Sequence, residues 1–532
     1  MNNLIDSFIV LGYFIIVFVI GFYISRKNSR SNSHEFLTGG RHMKWWQTGL
    51  TLIAMFVDPG IMGTAALSFI YGFYVIQWNG VNFWISGWFA SMFFVAIYWR
   101  SKIITTPEYL EKRFNVITRA FFSIVMISTI IAFLTYAVYL GGLLLEELLG
   151  WPFWVNVSLI ACIAGFYVMY GGMKTMLKMD VMQAVFLLIT IFVMGITGFV
   201  LLGGFEGIRE INITGLTGNP FNTLVPPVDF NLKTEAFFPL PAVLTYAIIA
   251  SLSWIVCNFS MAQRILASKD ESHAQKALVM AGIFNAVLMF MAYLAGAAMR
   301  LNMPDILPDK AFIIMMFEYF PVGIRGLLIA GIMAALLSTV DGLISSSSSL
   351  FAQDIYFRFF KKNITEKQSK KYIRIIEFVV ILLIFLFVPL FIGAQSAMEL
   401  VQGFLGNVMG VIIALFVLGI FFKRTTAWAA FGSMLTGLIL SFALDIATDF
   451  NFAFIGTLSF TVTVVLGYLL SFLEKANDAA KLKNLTIWTL EDVKGPFVGL
   501  KSWPKLWIWA ILLPVIWVSI VFIWEWYMGA MG

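Results

Sequence analysis

Residues 331–356, GIMAALLSTVDGLISSSSSLFAQDIY, are apolar enough to begin in a bilayer, yet they carry many hydroxyls and a carboxylate. At about 100° per residue, the small and polar residues of this segment share one side of a helix. They are Ala335, Ser338, Thr339, Asp341, Gly342 and Ser345. A charged side chain at membrane depth is costly unless it faces a partner, a cavity or an ion. This side of the helix therefore predicts a site for a small hard cation, which prefers oxygen ligands.

The five consecutive serines Ser345–Ser349 leave a second interpretation open. Small residues let neighbouring helices approach closely, and serine hydroxyls can bond back to carbonyls of their own helix. For the serines alone, helix packing is the simpler explanation. The carboxylate of Asp341 among them favours the ion site.

The composition indicates a polytopic α-helical membrane protein. The 532 residues are 60% hydrophobic and 12% charged, whereas soluble proteins carry about 25% charged residues. A β-barrel would show short alternating segments, but the apolar runs here are long and continuous. The net charge of +6 lies in the loops between apolar runs, so we expect a lipid bilayer as partner and no nucleic acid.

Fourteen apolar runs are long enough to be transmembrane helices. They cover residues 4–24, 46–70, 75–99, 117–148, 153–172, 179–203, 240–262, 276–300, 323–351, 373–393, 397–422, 427–446, 451–473 and 506–528. Alternate loops hold 30 of the 35 basic residues. The positive-inside rule then predicts a multi-pass protein of the plasma (inner) membrane with both termini outside the cytoplasm. On the inner side, we expect Arg264 to be a surface anchor and the basic segments 357–371 and 474–502 to be solvated.

Two apolar runs are interrupted. LIAMFVDPGIMGTAALSF, residues 52–69, places Pro59 and Gly60 at mid-depth, where proline removes a backbone donor and glycine adds freedom. SLSWIVCNFSMAQR, residues 251–264, interrupts the run five spans later. Broken helices at the midplane form ion and substrate sites in many secondary transporters. Because five is odd, the second set of helices would be inverted relative to the first.

This offset predicts an inverted repeat of five helices plus five. The corresponding division has a peripheral first transmembrane helix with a basic inner loop, a first repeat, an outer loop, a second repeat and three peripheral C-terminal transmembrane helices. The boundaries are 1–45, 46–203, 204–237, 238–422 and 423–532.

The sequence contains none of the common enzyme motifs considered for a chain of this kind. The chain lacks the GxxxxGK[ST] phosphate loop, the HExxH zinc motif and the GxSxG elbow, and it has three histidines. We therefore expect no enzymatic activity and no organic cofactor.

Several segments resemble the sodium/solute symporter family, in the right order and as far as Thr426. They are FLTGGRHMKWW, TTPEYLEKRFN, YLGGLLLEELLG, YGGMKTMLKMDVMQ, MAQRILASKDESHAQKA, STVDGLISSSSSLFAQDIY and LGIFFKRTT. The resemblance implies the LeuT-type fold, with about 14 transmembrane helices around an inverted-repeat core, and solute uptake driven by Na⁺.

By the same resemblance, the main Na⁺ site would use backbone carbonyls on both sides of the ion. The carbonyls would come from Ala54, Val57 and Ala335, and the hydroxyls from Ser338 and Thr339. A second cation site, present in some members, would involve Asp180, Ser338, Asp341 and Gly342. Serines often stand at the last two positions, so here the second site could be altered, strengthened or used for a proton.

The resemblance to the bacterial sodium/sugar symporter branch is weaker in the substrate pocket. Phe56 stands where that branch has an asparagine, and only Gln402 matches a sugar-contacting residue. The candidate substrate residues are Asp58, Gln77, Ser251, Trp254, Asn285 and Gln402. The indole of Trp254 would suit a sugar ring, whereas Asp58 could meet an amine.

The sequence therefore predicts a Na⁺-coupled symporter that imports a small polar organic solute, a sugar or polyol being favoured, by alternating access. Alternatives are an amino-acid or carboxylate symporter, a proton-coupled transporter on the same scaffold, and a channel or sensor. The sequence does not predict the oligomeric state.

Overall fold

A computed structural model describes residues 4–28, 39–57, 60–210, 240–361, 364–394, 397–478 and 480–491. These ranges are largely helical, and an isolated β-bridge joins Met43 to Ser268. The α-helices are α1 Leu4–Asn28, α2 Trp45–Phe56, α3 Gly60–Tyr71, α4 Ile76–Arg100, α5 Thr106–Arg113, α6 Val116–Leu149, α7 Phe153–Leu201, α8 Gly204–Glu210, α9 Leu240–Val256, α10 Phe259–Leu266, α11 Glu271–Asn302, α12 Ala311–Tyr319, α13 Ile324–Leu350, α14 Glu366–Phe387, α15 Ala397–Phe421, α16 Ala427–Ala447 and α17 Phe452–Leu470.

Within the described ranges, nine helices are long and apolar enough to cross a membrane, or eleven if each of two bent helix pairs is one span. The predicted span 506–528 and most of the predicted outer loop 204–237 lie outside the described residues. The count of fourteen spans and the domain boundaries therefore stay predictions, while the all-α architecture is confirmed.

Both predicted interruptions are present. α2 ends at Phe56 and α3 begins at Gly60 with an axis turned by 54°, and α9 and α10 meet at 56°. Val57 leaves helical geometry at φ −100° and ψ 64°. At the second break, Asn258 caps α10 because its side-chain Oδ1 accepts a hydrogen bond from the Ser260 amide at 2.9 Å. Asp58 and Pro59 lie outside the described residues.

α7 joins two predicted spans in a single bent element. The sequence predicts a loop over residues 173–178, but these residues are helical, so that expectation was wrong. The chain changes direction at Gly172 instead, where φ is +61° and ψ is −173°. Such a backbone conformation is nearly restricted to glycine, because a Cβ would clash.

The centre of the molecule is formed by α11 and α13. α11 packs against α2, α3, α4 and α7, and α13 packs against α1, α6 and α7. Glycine lets two of these pairs approach closely: a Cβ on Gly331 would lie 2.0 Å from Thr190 Oγ1, and one on Gly296 would lie 2.1 Å from the Ala65 carbonyl. Small residues thus set the helix spacing, as expected in a membrane.

α1 is tied to the start of α13 by a buried acid. Asp6 pairs with Arg325, and its Oδ1 accepts hydrogen bonds from the amides of Gly323 at 2.7 Å and Gly326 at 3.1 Å. The carboxylate therefore sits at the amino end of α13, where the helix dipole also favours it.

The two basic segments expected to be solvated are partly packed. The π-helix Phe351–Phe360 runs into the first of them, in which Phe357 and Ser369 are buried. In the later segment, the apolar side chains of Leu482, Leu485 and Ile487 are buried. Expectation and structure differ because these basic segments also carry apolar side chains that pack against the rest of the protein.

Candidate functional site

A buried ion cluster joins α7, α10 and α13. The Arg264 guanidinium contacts Asp180 Oδ2 through Nε at 3.1 Å and through Nη2 at 2.9 Å, and both side chains are 0% exposed. Nη1 of Arg264 donates to the carbonyl and to the hydroxyl of Ser260, each at 3.0 Å. The expectation that Arg264 anchors the protein surface was wrong, because its charge is neutralised in the interior.

The same cluster contains the residues of the predicted second cation site. Ser338 Oγ donates to Asp180 Oδ1 at 2.6 Å, and Asp341 Oδ1 lies 4.0 Å from Arg264 Nη2. Gly342 makes room for the guanidinium, since a Cβ there would lie 2.8 Å from both terminal nitrogens of Arg264. The structure thus brings Asp180, Ser338 and Asp341 together around a protein cation.

The residues of the predicted main Na⁺ site are all buried. Ala54 lies on α2, Val57 directly follows α2, and the other three lie on α13, which packs against α2. Thr339 Oγ1 has no hydrogen-bond partner among the described residues. An orphaned buried hydroxyl is costly, so it fits a ligand that supplies the missing contact. Next to Thr339, the donated proton of Ser338 leaves its oxygen lone pairs available to a cation.

Three of the serines after Asp341 bond back to their own helix, as the packing interpretation predicts. Ser346 and Ser347 donate to the carbonyl of Leu343 at 3.2 Å and 2.8 Å, and Ser348 donates to that of Ser345 at 3.0 Å. These three hydroxyls satisfy themselves on their own helix, which confirms that interpretation for this part of the row.

A central cavity opens beside the first helix break, with about 90 Å³ accessible to water, which is room for several ordered molecules. Three candidate substrate residues, Ser251, Trp254 and Gln402, line it together with Phe56. The ring of Trp254 packs edge-on against that of Phe133, with centroids 4.7 Å apart. The cavity is therefore mostly apolar, with an aromatic wall and a few hydrogen-bonding groups.

Other candidates are placed differently. Asn285 is buried on α11, one turn before the cavity residue Met289, and is not among the lining residues. Asp58 and the side chain of Gln77 lie outside the described part of the structure.

Sequence reasoning missed most of the other lining residues, among them Thr64, Phe133, Tyr246 and Met289. Thr64 could have been found, because it follows the break at Gly60 by about one helical turn. The other three belong to uniformly apolar segments and carry no signal that separates a cavity wall from ordinary helix packing.

Comparison with known proteins gives a family match over most of the chain. The sequence model of the sodium:solute symporter family matches residues 36–437. This range includes all the residues of the ion cluster and of the central cavity.

Individual relatives align over nearly the whole chain. The sodium/glucose cotransporter 4 of Mus musculus is 26% identical over 91% of this chain and 78% of its own length. The sodium/myo-inositol cotransporter of Homo sapiens is 27% identical over 92% of this chain and 76% of its own length. The sodium/glucose cotransporter of Vibrio parahaemolyticus is 27% identical over 87% of this chain and 90% of its own length.

Solved structures share the fold. A substrate-bound, outward-open structure of a Na⁺-coupled sialic acid symporter superposes with a TM-score of 0.78 at 21% identity, covering 90% of this chain and 99% of that one. A transporter of the nucleobase-cation-symport-1 family gives a TM-score of 0.53 at 14% identity, covering 86% and 98%. These likenesses confirm the expected LeuT-type fold.

Proposed function

The chain belongs to the sodium:solute symporter family, and from that premise we propose that it imports a small polar organic solute, with a sugar or polyol favoured, by Na⁺-coupled alternating access. It is a multi-pass membrane transporter and not an enzyme, and we place it in the plasma membrane. Relatives named for glucose and myo-inositol support the solute class.

The observation that carries the proposal is the buried hydroxyl of Thr339, which has no partner within the described part of the chain, beside that of Ser338. Na⁺ is a hard cation that binds neutral and anionic oxygens. Two hydroxyls on α13, with carbonyls of Ala335 and of the broken end of α2 at Ala54 and Val57, would supply five oxygen ligands. Carbonyls at a helix break are suited to this, because the regular helical hydrogen bonds that would occupy them are interrupted there.

The solute would occupy the central cavity. The indole of Trp254 and the ring of Phe133 offer apolar faces to the C–H side of a sugar or cyclic polyol. Gln402 and Ser251 offer hydrogen bonds to its hydroxyls. This arrangement favours a neutral polyhydroxylated solute.

Ion and solute sites share the first helix break, which accounts for coupling. Phe56 and Gly60 line the cavity on either side of the break, and Val57 lies between them. A Na⁺ ion that fastens Val57 to α13 would fix the cavity wall that the solute contacts. Linkage then requires the solute to raise the affinity for Na⁺ by the same factor.

The test is uptake of glucose and of myo-inositol by the purified protein in liposomes. We expect accumulation driven by an inward Na⁺ gradient, and no accumulation when choline replaces Na⁺ at fixed pH. Accumulation in choline driven by a pH gradient would instead indicate proton coupling.

The double variant Ser338→Ala/Thr339→Ala tests the ion site. Loss of a ligand that contributes about 1.4 kcal/mol to Na⁺ binding weakens that binding tenfold. We therefore expect the Na⁺ concentration for half-maximal uptake to rise at least about tenfold. Ser346→Ala/Ser347→Ala is the matched control, because these hydroxyls on the same helix bond to their own backbone. Equal Na⁺ dependence in the two variants would contradict the assignment.

A further inference from the structure

A second cavity lies where α14 begins, beside the first half of α7. Its volume is about 690 Å³, which is within the range of small-molecule sites. Its described lining contains four cationic side chains and no carboxylate. They are Lys367, Lys370, Lys371 and Arg374.

Arg374 is held in place by the bend in α7. Its Nε donates to the Met169 carbonyl at 2.7 Å, and its guanidinium lies over the Tyr170 ring at 5.3 Å. Met169 is three residues before the bend at Gly172, where the helical hydrogen-bond ladder is interrupted. A basic side chain at such a helix end is favourable, so the bend fixes one positive charge on the cavity wall.

The lysines of the cavity add positive charges that repel one another along α14. Lys367 and Lys371 are four residues apart, as are Lys370 and Arg374, so each pair lies on one face of α14. Like charges in this arrangement repel. Lys367 and Lys371 are both exposed, and a bound anion between them would remove the repulsion.

An apolar stripe continues from the cavity along α14. Ile375, Phe378, Leu382 and Leu386 follow at helical spacing, and their exposed fractions are 47%, 52%, 51% and 65%. Ile375 and Phe378 also line the cavity. On a helix that crosses a membrane, such a stripe faces hydrocarbon. The cations and the stripe therefore form one continuous amphipathic surface.

We propose that this surface binds an anionic phospholipid, with its phosphate among Lys367, Lys371 and Arg374 and an acyl chain along the apolar stripe. Basic pockets beside transmembrane helices are suited to anionic headgroups. A free phosphate would use only the charged half, and a zwitterionic lipid would meet four cations with its own cation. The site is separate from the central cavity and independent of the transported solute.

The experiment is native mass spectrometry of the purified protein with phosphatidylglycerol or phosphatidylcholine. Lys367→Gln/Lys371→Gln removes two exposed charges, and Lys423→Gln/Lys475→Gln removes two exposed lysines elsewhere as a control. We expect parent and control to retain phosphatidylglycerol over phosphatidylcholine. We expect the first variant to bind phosphatidylglycerol about tenfold more weakly or worse, since each cation near an anionic headgroup contributes appreciably.

Three results would overturn the proposal. One is equal phosphatidylglycerol retention by the two double variants. Another is equal retention of phosphatidylcholine by the parent protein. The third is displacement of the lipid by millimolar glycerol 1-phosphate, which has the headgroup charge without the tail and would identify the ligand as a soluble anion. Elution as a single species in size-exclusion chromatography shows that each variant is folded.

Discussion

Arg264 stands at the end of a segment whose sequence predicts a membrane-surface anchor, yet its guanidinium is buried against Asp180. The two residues are 84 positions apart on different helices, and no spacing rule connects them. By contrast, the hydroxyls of Ser338 and Thr339 could be predicted from the helical period alone, because both lie on one polar side of one helix.

A buried charge that loses its partner should lower the stability of the folded protein. Asp180→Asn keeps an acceptor for Ser338 but leaves Arg264 without its nearest carboxylate. We expect the free energy of unfolding to fall by about 3–5 kcal/mol, measured by denaturant unfolding in detergent. Asp305→Asn, at an exposed acid, is the control and should have little effect. A loss no larger than that of the control would mean that Asp341 compensates fully.

Among the elements, the break between α2 and α3 was predictable and the bend in α7 was not. Pro59 forbids a regular helix, since it lacks an amide hydrogen. Gly172 is one of two adjacent glycines, and glycine alone does not specify a direction change. In the structure a tertiary contact lies at the bend, because Arg374 Nε donates to the carbonyl of Met169 just before it.

The bend in α7 at Gly172 leads to a testable prediction. Gly172→Ala places a Cβ on a backbone with φ +61°, which should destabilise the protein by about 1–3 kcal/mol. Gly432→Ala is the matched control, because a Cβ there meets nothing within 4 Å. In the control, lower backbone entropy should leave stability unchanged or raise it by up to about 1 kcal/mol. Thermal unfolding of both variants measures the contrast, and equal midpoints would show that α7 can straighten at no cost.

For the whole molecule, ion pairs between the short helix α5, α6 and the π-helix after α13 depend on pH. Burial alone would raise the pKa of Glu111, but the guanidinium groups of Arg358 and Arg119 outweigh it and hold that pKa below its ordinary value of 4.5. An acid with a depressed pKa in the folded state stabilises the protein above pH 4.5, and this stabilisation is lost as the pH falls further.

We therefore expect the thermal midpoint to fall on acidification from pH 7 to below 4.5, and to fall less in Glu111→Gln. The glutamine variant should already be less stable at pH 7, since it never carries the charge that Arg119 and Arg358 bind. Glu206→Gln, at an exposed acid that forms no salt bridge within the described residues, is the control. An unchanged pH dependence in Glu111→Gln would show that other acids govern acid stability.

At this scale the architecture was largely predictable and the site only partly. Long apolar runs, Pro59 and the spacing of the two breaks predicted a helical membrane protein with an inverted repeat, and the resemblance to the symporter family implied the LeuT-type fold. The central cavity was harder, because Phe133 and Met289 are apolar residues among apolar neighbours. Which apolar face turns inward depends on packing between distant segments, and a single sequence does not encode that in a local pattern.

The salt bridge of Asp6 with Arg325 has a practical consequence for measurements of motion. It joins α1 to α13, and the contact of Gly331 with Thr190 joins α13 to α7. A spin label on α1 would then supply a stationary reference against which displacements of α3 or α10 could be read by pulsed electron resonance. Its separation from a label on α7 should remain constant whether or not sodium is added.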